Sequence, residues 1–308
     1  MRRARREALA VLLGLLVAWV VLHAVHTPAD RNTRPAPPPR WDATVDRPAP
    51  PVTTELPKTG PPPTPEHLGE LVRALRSRNL KVQVAAQDEL RELGPAAAPA
   101  VSELADVLRD GDRPARCAAA EVLIWVGPAA VGAKKELLQA LASPEDPARI
   151  FAAVGVGGIG HEAQEAIPLL GECLSSPDHG LRMNASWGLG RFAESGVPIP
   201  SAILRKGLGD TDANVRGNIL SAIRFLGAQA SDLAPDAAAL LGDSDAHVRA
   251  RACDALSVMD RAALPFLGRI RPLKDDADSE VRASAREAAG WLTMVERMPP
   301  DAVVETQQ

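Results

Sequence analysis

The sequence predicts an all-α fold, an α-solenoid wound as a right-handed superhelix of about seven helical hairpins. Three observations predict it. Aromatic residues are only 3% of the chain and Tyr is absent, which suits close helix-on-helix packing and not a sheet core rich in β-branched and aromatic side chains. A column of arginines, Arg116, Arg149, Arg182, Arg216, Arg249 and Arg282, recurs at spacings of 33 or 34 residues, and Gln83 extends it backward. Apolar residues follow these arginines at offsets 3, 6, 7 and 10, as in Ile219, Ala222, Ile223 and Leu226. That is the stripe of a helix buried on one face.

The chain opens with four arginines in its first six residues, and residues 8–25 then form an apolar run. Residues 1–7 read as a cytoplasmic basic segment and 8–25 as an uncleaved transmembrane signal anchor, its length at the lower limit for crossing a bilayer. The positive-inside rule places everything after residue 25 on the far side of a cytoplasmic membrane crossed once. Cleavage and secretion is the weaker alternative, because the best small-residue site, Thr27-Pro28-Ala29, contains a proline. Residues 26–65 hold 13 of the 28 prolines, in runs such as Pro37-Pro38-Pro39 and Pro61-Pro62-Pro63. Such a tract reads as a semi-rigid spacer of about 3.1 Å per residue, although its PxxP spacings also suit a proline-recognition surface.

Within residues 66–296 each unit begins at a polar residue three or four positions before the arginine column: Asn79, Asp112, Asp146, Asp178, Asp212, Asp245 and Asp278. Eleven residues after the column stand Gly94, Gly127, Gly160 and Gly227, where glycine stops a helix. Ala193 and Asp260 take that place in units four and six, so those two turns are expected to be irregular. A second apolar run, such as 98–108, leads to the next unit. Neither helix of a hairpin can bury its stripe alone, so the hairpins must stack. The polar columns then form a ladder in which an Asp accepts from an Arg and from helix N-terminal amides. Residues 297–308 read as a disordered tail.

The pattern Asp, then Val-Arg, then Ala-x-x-Leu-Gly, seen from Asp212 to Gly227 and again from Asp245 to Leu256, resembles the HEAT repeat, in the short form shared with phycobilisome-lyase-like proteins. The resemblance covers about residues 66–296. It implies an interaction scaffold, with a lyase or isomerase acting on a small apolar molecule as the alternative. Solenoids host many activities, so the fold alone does not decide between them.

Net charge is −4, which lacks the basic field of a nucleic-acid binder. The run from Gly155 to Gly160 satisfies GxGxxG but sits in a second helix and not after a strand, so it marks a close backbone approach or a soft point, not a dinucleotide site. His161 and Glu165 have the spacing of a metal clamp, but two ligands do not close a site. No catalytic residue, metal or cofactor is expected.

The candidate partner-binding residues lie at offsets 2, 5 and 9 from the arginine column, off the buried stripe: Trp125, Phe151, Trp187 and Phe225, with Arg191 and Arg224 beside them. Trp291 falls at the same register. Aromatic and Arg side chains on a concave groove are the usual anchors of a protein or extended-peptide partner. The competing account is that Trp125, Phe225 and Trp291 pack between neighbouring units.

Overall fold

The structure, a computed structural model, describes residues 63–299. The apolar run at 8–25 and nearly all of the proline tract lie outside the described residues, as do residues 300–308. Fourteen α-helices and no strand are found among the described residues, arranged as seven hairpins.

The first hairpin shows how the local sequence sets the helices. Helix α1 (Pro65–Leu75) starts with a proline at its first position, where a missing N–H costs nothing, and the Thr64 side chain accepts from the His67 N–H. Helix α2 (Leu80–Leu93) is capped by Asn79. The chain continues as α3 (Val101–Asp110), α4 (Arg113–Val126), α5 (Lys134–Ala142), α6 (Arg149–Ile159), α7 (Ile167–Cys173) and α8 (His179–Glu194). It ends with α9 (Ser201–Leu208), α10 (Ala213–Leu226), α11 (Ala234–Ala239), α12 (Ala246–Ser257), α13 (Leu267–Ile270) and α14 (Ser279–Arg297).

The odd-numbered helices form one layer and the even-numbered helices the other. Consecutive even helices pack broadly on one another, from α2 against α4 through α12 against α14, whereas consecutive odd helices touch sparsely. The core between the layers is one continuous cluster running from Leu68 to Leu292, built of Ala, Val, Leu and Ile with Phe192 as its largest member. This is an α-solenoid, in which each unit completes its burial against its neighbours.

Hairpin follows hairpin through a short 3-10 segment: Gly94–Ala100, Gly127–Ala133, Gly160–Ala166, Gly227–Leu233 and Asp260–Phe266. The second apolar runs are therefore less helical than their composition suggests. In the first of them, Pro99 cannot donate an N–H and the α-helix begins only at Val101. The four stop glycines all have positive φ, between 51° and 73°. In unit four, α8 runs past Ala193 and the stop falls on Gly196 at φ 75°, followed by extended chain into α9. In unit six Asp260 itself takes φ 50°, as no other described non-glycine residue does.

Two glycines isolate this backbone requirement from packing, because a Cβ at either Gly127 or Gly268 would meet nothing within 4 Å. Gly127 has φ 67° and ψ −136°, a region an L side chain enters at a cost of about 1–3 kcal/mol. Gly268 lies in α13 at an ordinary helical φ. Gly127→Ala is thus expected to lower the melting temperature, and Gly268→Ala to raise it, through a gain in stability of ~0.5–1 kcal/mol from helix propensity. Equal shifts of the two in thermal denaturation would contradict this assignment.

Candidate partner-binding face

The polar columns divide their work more finely than a single ladder. Asp112, Asp178, Asp212, Asp245 and Asp278 cap the even helices, each accepting from a backbone N–H two or three residues on. Three of the arginines pair instead with a second acidic column two residues earlier in the next unit, while Arg149 donates to the Leu141 carbonyl. Arg182 grips Asp210 at 2.8 and 3.4 Å, Arg216 grips Asp243 at 2.8 and 2.7 Å, and Arg249 grips Asp276 at 3.0 and 2.8 Å. The remaining nitrogen of each arginine donates to carbonyls of its own turn, as Arg216 does to Asp210 and Thr211 at 2.9 and 3.2 Å. Each guanidinium therefore ties one turn to the next, in the bidentate geometry that suits Arg. In the first column only Asp146 accepts from both an arginine and an amide, Arg116 and the Ala148 N–H, whereas in the second column Asp210, Asp243 and Asp276 each accept from an arginine and from the N–H two residues on. Pro144 stands where the second acid would be, and Arg116 Nε is left buried without a partner.

The ladder therefore holds the stack together along one edge and leaves the outer surface of the even layer as the face to inspect. That surface changes character at α6. Every residue from Ala152 to Gly160 is buried, including Val154, which is fully buried although it lies outside the main core cluster. Neighbouring helices close over α6 because glycines let backbones meet. A Cβ on Gly157 would stand 2.8 Å from the Gly188 Cα, and one on Gly188 would collide with the Ala153 carbonyl. The GxGxxG run is thus the seam between α6 and α8. Near Gly158, the Ile124 carbonyl of α4, the Gly127 Cα and the Arg191 guanidinium all converge. Backbone contact thus closes the face at unit three, where a concave groove was expected.

Around this seam the candidate residues part company. Trp125 and Trp187 are partly buried and outside the core cluster, and Phe225 is 49% exposed. Phe151 and Trp291 are packed against the core, and the Trp291 indole N–H reaches Asp260 at 3.4 Å. Arg224 is exposed. Arg191 is not a free fork: it is 9% exposed, lies over Gly158 and pairs with Glu194 at 3.5 Å. Its burial follows from the missing side chain at position 158, which leaves a bed for the guanidinium near the C-terminus of α6, where a cation is favoured. Glu121, at offset 5 in α4, was not singled out in the sequence. Burial raises its carboxyl, while Arg91 and a 2.6 Å bond from Gln87 work the other way.

The other groups considered are engaged elsewhere. Glu165 pairs with Lys134 at 3.0 Å, and the same ammonium donates to the Glu162 carbonyl, so the Glu165 carboxylate is engaged in an ion pair. Burial pushes the Cys117 and Cys253 thiols up to about 11 and about 12, which makes them poor nucleophiles at neutral pH. A cleft of about 210 Å³ lies between α1 and α3, lined by Arg73, Arg76, Glu103 and Asp106. It is smaller and more polar than a typical small-molecule pocket. The stretch Arg113–Ala142 is apolar enough to span a membrane, but it is α4, a 3-10 turn and α5, with half of its most apolar window buried in the stack.

A family model described as HEAT repeats matches residues 134–224 and 201–290, together just over half of the chain. Among solved structures, an archaeal HEAT-like repeats protein from Thermococcus onnurineus NA1 matches with a TM-score of 0.53 at 14% identity, over 76% of this chain and 99% of that one. An engineered protein matches with a TM-score of 0.49 at 18% identity, over 74% and 97% respectively. No curated protein matches. The periodic columns, the two-layered stack of hairpins and the extent of the family match establish that the chain belongs to the HEAT-repeat family.

Proposed function

We propose that this HEAT-repeat protein is an interaction scaffold, tethered by its N-terminal apolar run outside the cytoplasmic membrane, which binds a protein or extended peptide on the outer face of its even helices. The observation that carries the reading is the division among the aromatics. Phe151 and Trp291, though partly exposed, pack against the core, while Trp125 on α4 and Trp187 on α8 do not and Phe225 on α10 is exposed. Large aromatics left outside a core are the residues that supply most of the affinity when a partner covers them. The tether rests on the sequence alone, on the arginine cluster followed by residues 8–25.

The test is affinity capture on the full chain in its membrane, comparing the wild type with Trp187→Ala and Phe225→Ala at unchanged melting temperature. The specifically retained partner is expected to be lost at least ~30-fold from either variant, the effect of removing a hot-spot aromatic. Retention of every partner by both variants would show that the binding surface lies elsewhere.

A further inference from the structure

We propose that a second copy of this chain docks end to end on the stack, the outer side of α14 in one copy meeting the outer side of α2 in the next. The stack ends within the chain on both sides, with Pro61-Pro62-Pro63 before α1 and Pro299-Pro300 after α14. This contact is separate from the aromatic face, and three observations point to it.

The first is register. Inside the stack, the forward side of one even helix meets the backward side of the next at recurring offsets from the arginine column. Gln87, at offset 4, donates to Glu121, at offset 5, at 2.6 Å. Ser186, at offset 4, accepts from Asn218, at offset 2, at 3.0 Å. Gly157, at offset 8, faces Gly188, at offset 6, and the row at offset −2 sets His247 against Glu280 at 3.8 Å. No helix follows α14 among the described residues, so its forward positions at offsets 4 and 8, Arg286 and Gly290, are exposed. None of the even helices precedes α2, whose backward positions at offsets 2, 5 and 6 are exposed at Ala85 and Glu89 and half-buried at Asp88. Each end therefore displays the side that, within the stack, receives the other.

The second is charge. Continued across a copy boundary, the same rows set Arg286 against Asp88 and Glu280 against Lys81, opposite signs at both. Within its own chain Arg286 reaches the Lys274 carbonyl at 3.5 Å, while Arg91 holds Asp88 on the α2 surface at 3.0 Å. Arg182, Arg216 and Arg249 each grip an acid of the next unit, whereas Arg282 donates to the Asp276 and Ala277 carbonyls of its own turn. The acceptor that a second copy offers Arg282 is Ser77, which stands in the second-column place and takes the Asn79 N–H at 3.1 Å. A hydroxyl where the stack has a carboxylate makes this junction weaker than the internal ones, as suits a reversible contact.

The third is apolar surface. End units of a solenoid ordinarily turn a polar side to water. Of the five exposed large apolar side chains among the described residues, Leu80, Val82 and Met294 lie instead on α2 and α14. Gly290 sits in the interior of α14, where glycine weakens a helix, and a Cβ there would meet nothing within 4 Å. No contact within the chain requires it, and its offset is that of Gly157, where backbones touch at the seam between α6 and α8. Because the two ends are different surfaces, the contact is heterologous, and copies add in one direction into an open chain or a closed ring.

The experiment follows self-association of the full chain in detergent solution by sedimentation across micromolar concentrations. The wild type is expected to grow with concentration and to shrink at high salt. Gly290→Glu sets a like charge against the acidic α2 end, and Ala85→Lys sets one against Arg286; both sites are exposed, so the fold is left intact. Each variant alone is expected to self-associate at least ~30-fold more weakly. An equal mixture of the two is expected to associate again, because each keeps the end that the other lacks. A wild type that stays monomeric, association that either variant leaves unchanged, or a mixture that fails to pair would overturn the proposal. Loss in one variant only would point to a symmetric contact through a single end, and loss in neither to association elsewhere in the chain.

Discussion

Gly188→Ala is expected to be among the most destabilising single-methyl changes in this chain, at about 1–2 kcal/mol net, while Gly190→Ala two residues away is expected to be neutral or stabilising. The difference lies in what the new Cβ meets. At 188 it collides with the Ala153 carbonyl of α6 and comes within 3.3 Å of a Leu170 methyl; at 190 it meets only the Asn218 carbonyl, at 4.0 Å. A backbone obstacle cannot rotate away, so α6 and α8 must separate and unpack the centre of the stack. Overpacking of this kind costs ~1–3 kcal/mol or more, and about 1 kcal/mol of gained helix propensity only partly offsets it. Gly157→Ala faces the Gly188 backbone from the other side and should behave like Gly188→Ala. Thermal denaturation of the three variants decides the matter: equal melting temperatures for 188 and 190 would show that the seam is not a tight backbone contact.

Much of this fold was legible in one sequence because a repeat states each rule several times. A single Asp before a Val-Arg is weak evidence of a cap, but six polar residues in register are strong evidence, and Asn79, Asp112, Asp178, Asp212, Asp245 and Asp278 all cap. The partner of each arginine was harder to read. Asp243 and Asp245 stand two residues apart on one turn, and only coordinates show that the first reaches back to Arg216 while the second turns to the Val248 N–H. The recurrence of Asp210, Asp243 and Asp276 at intervals of 33 was the available signal. The fate of the aromatics was not legible at all. Helical periodicity says which way a side chain points from its own axis, but the exposure of Trp187 and the burial of Arg191 depend on how closely α6 approaches α8. That distance is set by glycines on both helices.

Asp243→Ala is expected to cost about 3 kcal/mol, and Asp245→Ala only about 1 kcal/mol, although the two acids are neighbours on one turn. Asp245 caps α12 through one bond of 3.2 Å to the Val248 N–H, and loss of a cap has that smaller magnitude. Asp243 holds both arms of Arg216, and the two side chains are 8% and 12% exposed. Its removal strands a nearly buried guanidinium whose remaining bonds go only to the Asp210 and Thr211 carbonyls. Because that pair joins unit five to unit six, its loss weakens coupling within a linear array, and unfolding is expected to broaden toward two transitions. The same pair sets a pH signature. Burial alone would raise the Asp243 carboxyl, but the bonds from Arg216 and from the Asp245 N–H, with the Arg216 and Arg249 charges, hold it below its ordinary value. The hydrogen bond from Arg249 holds Asp276 low in the same way. A depressed carboxyl contributes stability that is complete above the unfolded value near ~3.9 and is lost as pH falls through the folded value. The wild type should therefore lose stability steeply only below about pH 4, and Asp243→Ala should show a shallower slope there, since part of that loss has already occurred. Parallel acid-denaturation curves for the two proteins would mean that Asp243 is not held ionised by the ladder.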